Sequence, residues 1–214
     1  MVLPISWTAF GQDAAASSED QPNPMDRLLD AAHKGDEATV VKLLASGVAV
    51  DSKGKEGGTA LMAAAASGKP NIVRLLLEKG ASLDLKDDGG DTALHFAAMT
   101  NNIDEARLLL EQRANVNIQE EGGLTPLMMS IVSGSVDLVK LMLDNGAKTE
   151  MADSNGYTAL MAASGGGLID MVKLLLDRGA NIDAKSNDGT TALKLADSNG
   201  KNDVAALLRQ KGAH

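Results

Sequence analysis

The chain of 214 residues has no cysteine, three histidines and only 2% aromatic residues. Without cysteine there is no disulfide framework, no thiol nucleophile and no thiolate metal ligand, although the absence fits a reducing and an oxidising compartment equally well. His33, His95 and His214 have no helical spacing between them, so no zinc-binding pattern exists. No stretch gathers a base beside a serine, as nucleophilic catalysis requires. A chain so poor in aromatics must build its core from Leu, Ala, Val, Ile and Met, which suits thin helical layers better than a deep catalytic cleft. No apolar run approaches the roughly 18 residues that span a bilayer. Lys and Arg number 20 against 29 Asp and Glu, a formal net charge of −9. That balance argues against nucleic acid, where neutralisation of phosphates dominates affinity, and against an anionic membrane surface. A neutral or basic partner suits it better.

What the chain does have is a period. Thr59, Thr92, Thr125, Thr158 and Thr191 fall 33 residues apart without interruption. A fixed period of this length marks a stacked repeat array. Each threonine opens a short apolar word: Thr59-Ala60-Leu61-Met62, Thr92-Ala93-Leu94-His95, Thr125-Pro126-Leu127-Met128, Thr158-Ala159-Leu160-Met161 and Thr191-Ala192-Leu193-Lys194. Gly57, Gly90, Gly123, Gly156 and Gly189 stand two residues before these words. Threonine reads as an N-cap whose hydroxyl accepts an orphan backbone N–H, and Pro126 suits the first helical position. The helix that follows is short and rich in alanine, so a neighbour can approach closely. Turns are expected at Gly68, Asn101, Gly134, Gly167 and Gly200, where the left-handed region is accessible to glycine and tolerated by asparagine. A second helix then repeats apolar residues at spacings of three and four, as in Leu138, Val139, Leu141, Met142 and Leu143. It closes on Gly80, Gly146, Gly179 or Gly212, but on Arg113 in the unit that begins near Thr92. Arg113 reads as drift with a strain cost of roughly 1 kcal/mol in preference to a cation placed for a partner.

On these words and glycines the chain resembles the ankyrin-repeat family, with a bacterial flavour, from about Met25 to the C-terminus. The resemblance implies an all-α repeat solenoid of paired antiparallel helices joined by β-hairpin-like loops. The expected organisation is a leader at 1–24, an N-terminal capping unit at 25–57, units at 58–90, 91–123, 124–156 and 157–189, and a C-terminal cap at 190–214. The ends read as caps, with Asp26 in place of threonine and Lys42 where later units carry leucine. Polar end units are what a complete solenoid needs. The leader admits two readings. It is the remnant of a signal peptide, favouring export to the periplasm, or a disordered cytosolic segment.

Several candidate chemistries give way to structural roles. His95 holds the fourth position of its word, where the resemblance implies a hydrogen-bonded tie between neighbouring loops. The stretch from Gly54 to Thr59 lacks the phosphate-loop pattern, and no calcium-loop pattern occurs, so no cofactor is expected. Carboxylates recur with the repeat and read as a solvated face. Methionines at 62, 128 and 161 read as core filling, with a soft contact surface or oxidation sensing as the alternatives.

The resemblance also implies a concave groove lined by loop tips and short helices. Leu124 and Tyr157 hold the same tip position in adjacent units and form the candidate apolar hot spot, joined by Met99 and Val132 on the short helices. The alternative is that each packs on its own hairpin. Asp88, Asp91 and Glu121 surround them with negative charge, and Lys86, Ser154 and Asn187 complete the candidate surface. The expectation is a non-enzymatic, monomeric scaffold that docks another protein with a basic rim. A sharper alternative is an exported protein that inhibits, protects or assists a periplasmic enzyme.

Overall fold

The computed structural model describes residues 23–214; the expectations for the leader concern residues outside that span, apart from Asn23 and Pro24. Among the described residues, twelve α-helices alternate between two layers. The first layer contains α1 (Pro24–Lys34), α3 (Ala60–Ala66), α5 (Ala93–Met99), α7 (Pro126–Val132), α9 (Ala159–Gly166) and α11 (Ala192–Ser198), each packed on the next. The second contains α2 (Glu37–Ala45), α4 (Pro70–Glu78), α6 (Ile103–Glu111), α8 (Val136–Asp144), α10 (Ile169–Asp177) and α12 (Asn202–Gln210). Each pair is antiparallel, and loops carry the chain to the next pair. An isolated bridge between Ala152 and Thr158 and a single 3-10 turn, Lys55–Gly57, complete the regular structure among the described residues.

Sequence register explains the stack. Leu28, Leu61, Leu94, Leu127 and Leu160 are all at most 2% exposed. In the second layer Leu76, Leu109, Met142, Leu175 and Leu208 are fully buried at one common register. Removing one such side chain to alanine typically costs about 2–5 kcal/mol. The alanines of α3 and α5 are buried almost throughout, so small side chains are what let the first layer stack closely.

The caps follow from the threonines. Thr59, Thr125, Thr158 and Thr191 each accept the N–H of the residue three further on, at 3.2–3.4 Å. At the N-terminus the array departs from the expected register. Asn23 caps α1 by accepting the Met25 N–H at 3.2 Å, and Asp26 lies inside the first turn, so this helix starts earlier than its counterparts. Every expected left-handed turn has a positive φ, including Asn101 at 59° and Arg113 at 70°.

Four of the five glycines before the threonines, Gly57, Gly90, Gly123 and Gly156, answer to a closer constraint than turn geometry, whereas a Cβ on Gly189 would meet nothing within 4 Å. A Cβ on Gly123 would lie 2.8 Å from the Ser154 nitrogen and 2.9 Å from the Asp153 Cα. The next tip packs directly on the glycine because its own N–H groups bond across the junction. Asp88, Glu121, Ser154 and Asn187 donate backbone N–H to the carbonyls of Glu56, Gly89, Gly122 and Asn155, at 2.8–3.0 Å.

Candidate protein-binding groove

Three ladders hold the loop tips in line, and they decide which side chains are free. The first is the backbone ladder just described. In the second, a side chain reaches 33 residues ahead: Lys53 Nζ donates to the Lys86 carbonyl (2.6 Å), Lys86 Nζ to Gln119 (2.7 Å) and Gln119 Nε2 to Ala152 (2.8 Å). In the third, Asp51, Asp84, Asn117, Glu150 and Asp183 accept backbone N–H groups 31 residues further on, at 2.8–3.0 Å. Lys86, proposed from sequence as a partner contact, thus spends its ammonium on the next tip. Asn187 likewise donates its side-chain amide to the Ser154 carbonyl at 3.0 Å. Asp88, Glu121, Ser154 and Asn187 remain exposed at the tips.

Leu124 and Tyr157 are only half exposed, because both pack against the core. Each backbone N–H is fastened by a carboxylate of its own hairpin: Leu124 N–H to Glu120 Oε1 and Tyr157 N–H to Asp153 Oδ1, both at 2.8 Å. The open apolar surface lies elsewhere. Val132 is 73% exposed and Met99 41%. They are the last residues of α7 and α5, one period apart, where the helix end carries the side chain beyond the buried face. Beside them Thr100 and Ser133 turn their hydroxyls back onto their own helices, to Phe96 and Ser130 carbonyls.

His95 makes the expected tie. Its Nδ1 accepts the Thr92 N–H at 3.1 Å, which leaves Nε2–H to face the Leu124 carbonyl at 3.3 Å. The ring is fully buried, and burial lowers its pKa from 6.5 to about 4. Where methionine replaces histidine, the thioether takes over half of this role at Met62, whose Sδ accepts the Thr59 N–H at 3.3 Å.

Asp91, at the same tip register as Leu124 and Tyr157, is half-buried, and its Oδ1 is shut away from water with no hydrogen-bond partner. Burial raises its pKa to about 7, with the Asp87 and Glu120 carboxylates adding to the rise and Lys86 opposing it. Asp87 Oδ1 accepts the N–H groups of Gly89 and Asp91. The tip that leads into Thr92, between the second and third units of the array, is therefore an acidic corner.

One carboxylate overturns the reading of a solvated face. Glu105 is 3% exposed on α6, at the register of Ile72, Leu138, Met171 and Val204. Burial raises its pKa, with Asp104 adding and Lys69 opposing. The departure was visible by aligning the units, but counting charges alone hides it. Elsewhere, Ser67 Oγ meets His33 Nδ1 across the first junction. The serine also donates to the Ala63 carbonyl at 2.8 Å, so the histidine supplies the hydrogen between them and the pair forms a structural tie. Among the described residues no cluster of three or more potential metal ligands occurs, and no helix is long and apolar enough to cross a membrane.

Stacked helix pairs, a ladder of loop tips and one open face define a repeat solenoid of the protein-binding kind. The family model for ankyrin repeats matches three times, over residues 28–120, 81–153 and 127–214, and the chain belongs to that family. No curated protein matches the sequence. Among solved structures it is similar to a chain of the complex between the predatory endopeptidase Bd0816 from Bdellovibrio bacteriovorus and immunity protein Bd3460. The identity is 32% and the TM-score 0.80, over 86% of this chain and 97% of the other. The chain is a protein-binding scaffold.

Proposed function

We propose that this scaffold is a non-enzymatic inhibitor or protector that docks a hydrolytic enzyme, of the endopeptidase type, on the face formed by its third to fifth units. The observation that carries the reading is the exposed pair Met99 and Val132, one period apart at the ends of α5 and α7, with Val136 at the start of α8 also exposed. Apolar anchors near the centre of an interface contribute most of its energy, and a surrounding polar rim excludes water. The similarity to a chain of an endopeptidase–immunity protein complex supports an enzyme as the occupant. We read the matched chain as the immunity partner, because the likeness runs through the repeats.

The half-buried Leu124 and Tyr157 extend the anchor toward the tips, where Asp88, Asp91 and Glu121 favour a partner with a basic rim. Ser154 and Asn187 line its far side. Lys86 contributes by holding the tip in place. Because stacking orders these groups before contact, docking loses less conformational entropy than it would on free loops. The scaffold works as a monomer, with export to the periplasm as its setting.

The test is capture of partners from native extract, followed by assay of each for peptidase activity with and without the purified chain. A captured hydrolase whose turnover falls with stoichiometric chain supports the proposal. A captured partner with no hydrolytic activity, or one whose turnover is unchanged, overturns the inhibitory role.

A further inference from the structure

The third unit departs from its neighbours around one helix. Among the described residues only Glu56, Asn101 and Arg113 are non-glycine residues with positive φ, and the last two bracket α6. Asn101 stands where the other threonine units have Gly68, Gly134, Gly167 and Gly200. Arg113 stands where they have Gly80, Gly146, Gly179 and Gly212. Between these two turns Glu105 places a carboxylate on the face that packs against the rest of the array, at a register that is apolar in every other threonine unit. Left-handed backbone is unfavourable for a residue with a Cβ such as Arg113, and less so for Asn101, whose short polar side chain tolerates it. A largely desolvated carboxylate at an apolar register, its charge only partly offset by Lys69 and its own backbone, weakens the packing that has to hold the helix down.

On the other side of the unit the junctions are tied across both neighbours, although one Asp91 oxygen there lacks a hydrogen-bond partner. Lys86 and Gln119 carry the side-chain ladder through it, the Glu121 N–H bonds to Gly89, and His95 reaches Leu124. The two non-glycine left-handed turns and Glu105 belong to the second layer, where α6 sits between α4 and α8. In a solenoid each unit is held only by its own stability and its two interfaces, so a soft helix in the middle is not rescued by the rest.

We propose that α6 is the hinge of the array. It loosens locally from α4 and α8 while the tips and the first layer stay joined, so the two halves of the solenoid can change their splay at the third unit. Met99 belongs to that unit and Val132 to the next, so a change of splay alters the spacing of the exposed pair. That regulatory consequence rests on the proposed docking face, whereas the softness of α6 does not.

Hydrogen exchange measured by mass spectrometry on the full chain, with no partner present, tests it. After correction for intrinsic rates, amides 106–111 are expected to exchange roughly tenfold faster than 73–78 of α4 and 139–144 of α8, equivalent to about 1.4 kcal/mol. The amides of Glu121 and Ser154 should stay as protected as those of the flanking tips. The variant Asn101→Gly/Glu105→Leu/Arg113→Gly should bring the three helices within roughly twofold of one another, and Arg113→Gly alone should narrow the gap. Protection of 106–111 equal to that of its neighbours in the wild type overturns the proposal. So does a gap that persists in both variants, and so does equal loss of protection at Glu121 and Ser154, which would mean that the whole unit opens.

Discussion

His95 offers the sharpest test of how the junction between the third and fourth units is held. Its ring is 0% exposed, and burial lowers its pKa from 6.5 to about 4. Between those values the unfolded chain binds a proton that the folded chain refuses. Stability must therefore fall as the pH drops from 6.5 toward 4, with the full loss present below the folded value. A gap of about 2.5 pH units corresponds to about 3 kcal/mol. Asp91 works in the opposite sense. Its folded pKa is raised from 3.8 to about 7, so the folded state holds a proton that the unfolded chain has released, and stability rises as the pH falls through that window. Because Asp91 is partly exposed, screening by water makes its contribution smaller than the shift alone implies. The wild-type chain should thus show a blunted acid dependence.

Substitution of His95 by Met, the residue at the equivalent positions 62, 128 and 161, removes one side of this balance. Urea unfolding followed by far-ultraviolet circular dichroism at about pH 7.5 and about pH 4.5 should show His95→Met losing about 2.5 kcal/mol less on acidification than the wild type. That is a relative midpoint change of roughly 1 M urea. The lost tie to Leu124 adds a penalty that is the same at both pH values, so the comparison is the pH difference, not the absolute stability. Asp91→Asn should do the reverse and steepen the acid loss. Equal acid losses in wild type and His95→Met would refute the reasoning.

Other outcomes follow from the packing. Glu105→Leu restores the apolar register of α6 and should stabilise the chain by about 1–2 kcal/mol, read as a rise in thermal midpoint of a few degrees. Gly123→Ala should destabilise by about 2 kcal/mol or more in the same assay, because the added Cβ meets the backbone of Asp153 and Ser154 in a conformation with φ of 84°. Thr125→Ala, which removes the cap on the Met128 N–H, should cost about 1 kcal/mol in urea unfolding.

Much of this architecture was legible in the sequence because repetition tests each inference several times over. One threonine before an apolar word is weak evidence for an N-cap; five at a constant spacing also locate the turns, including Asn101 and Arg113. The surface was harder to read. Leu124 and Tyr157 share a tip register with Asp91, but the sequence does not tell how far a tip leans on the layer beneath it, and both proved half-buried. Val132 and Met99 are open because a seven-residue helix ends just past its buried face. The second ladder was hidden for a similar reason. A lysine at a loop tip looks like a free charge until the next unit brings a carbonyl within reach of it. Glu105 was hidden among other carboxylates, and only its register among Ile72, Leu138, Met171 and Val204 betrays it.

The central claim is that the third to fifth units dock a protein through Met99 and Val132, and paired capture from native extract tests it most directly. One bait is the wild-type chain and the other carries Met99→Glu and Val132→Glu, both matched for helicity and thermal midpoint. Both substitutions fall on exposed helix ends, so folding should be unchanged. A partner recovered in stoichiometric amount by the wild type and lost from the variant is the predicted result. The same partner recovered equally by both baits would contradict the claim.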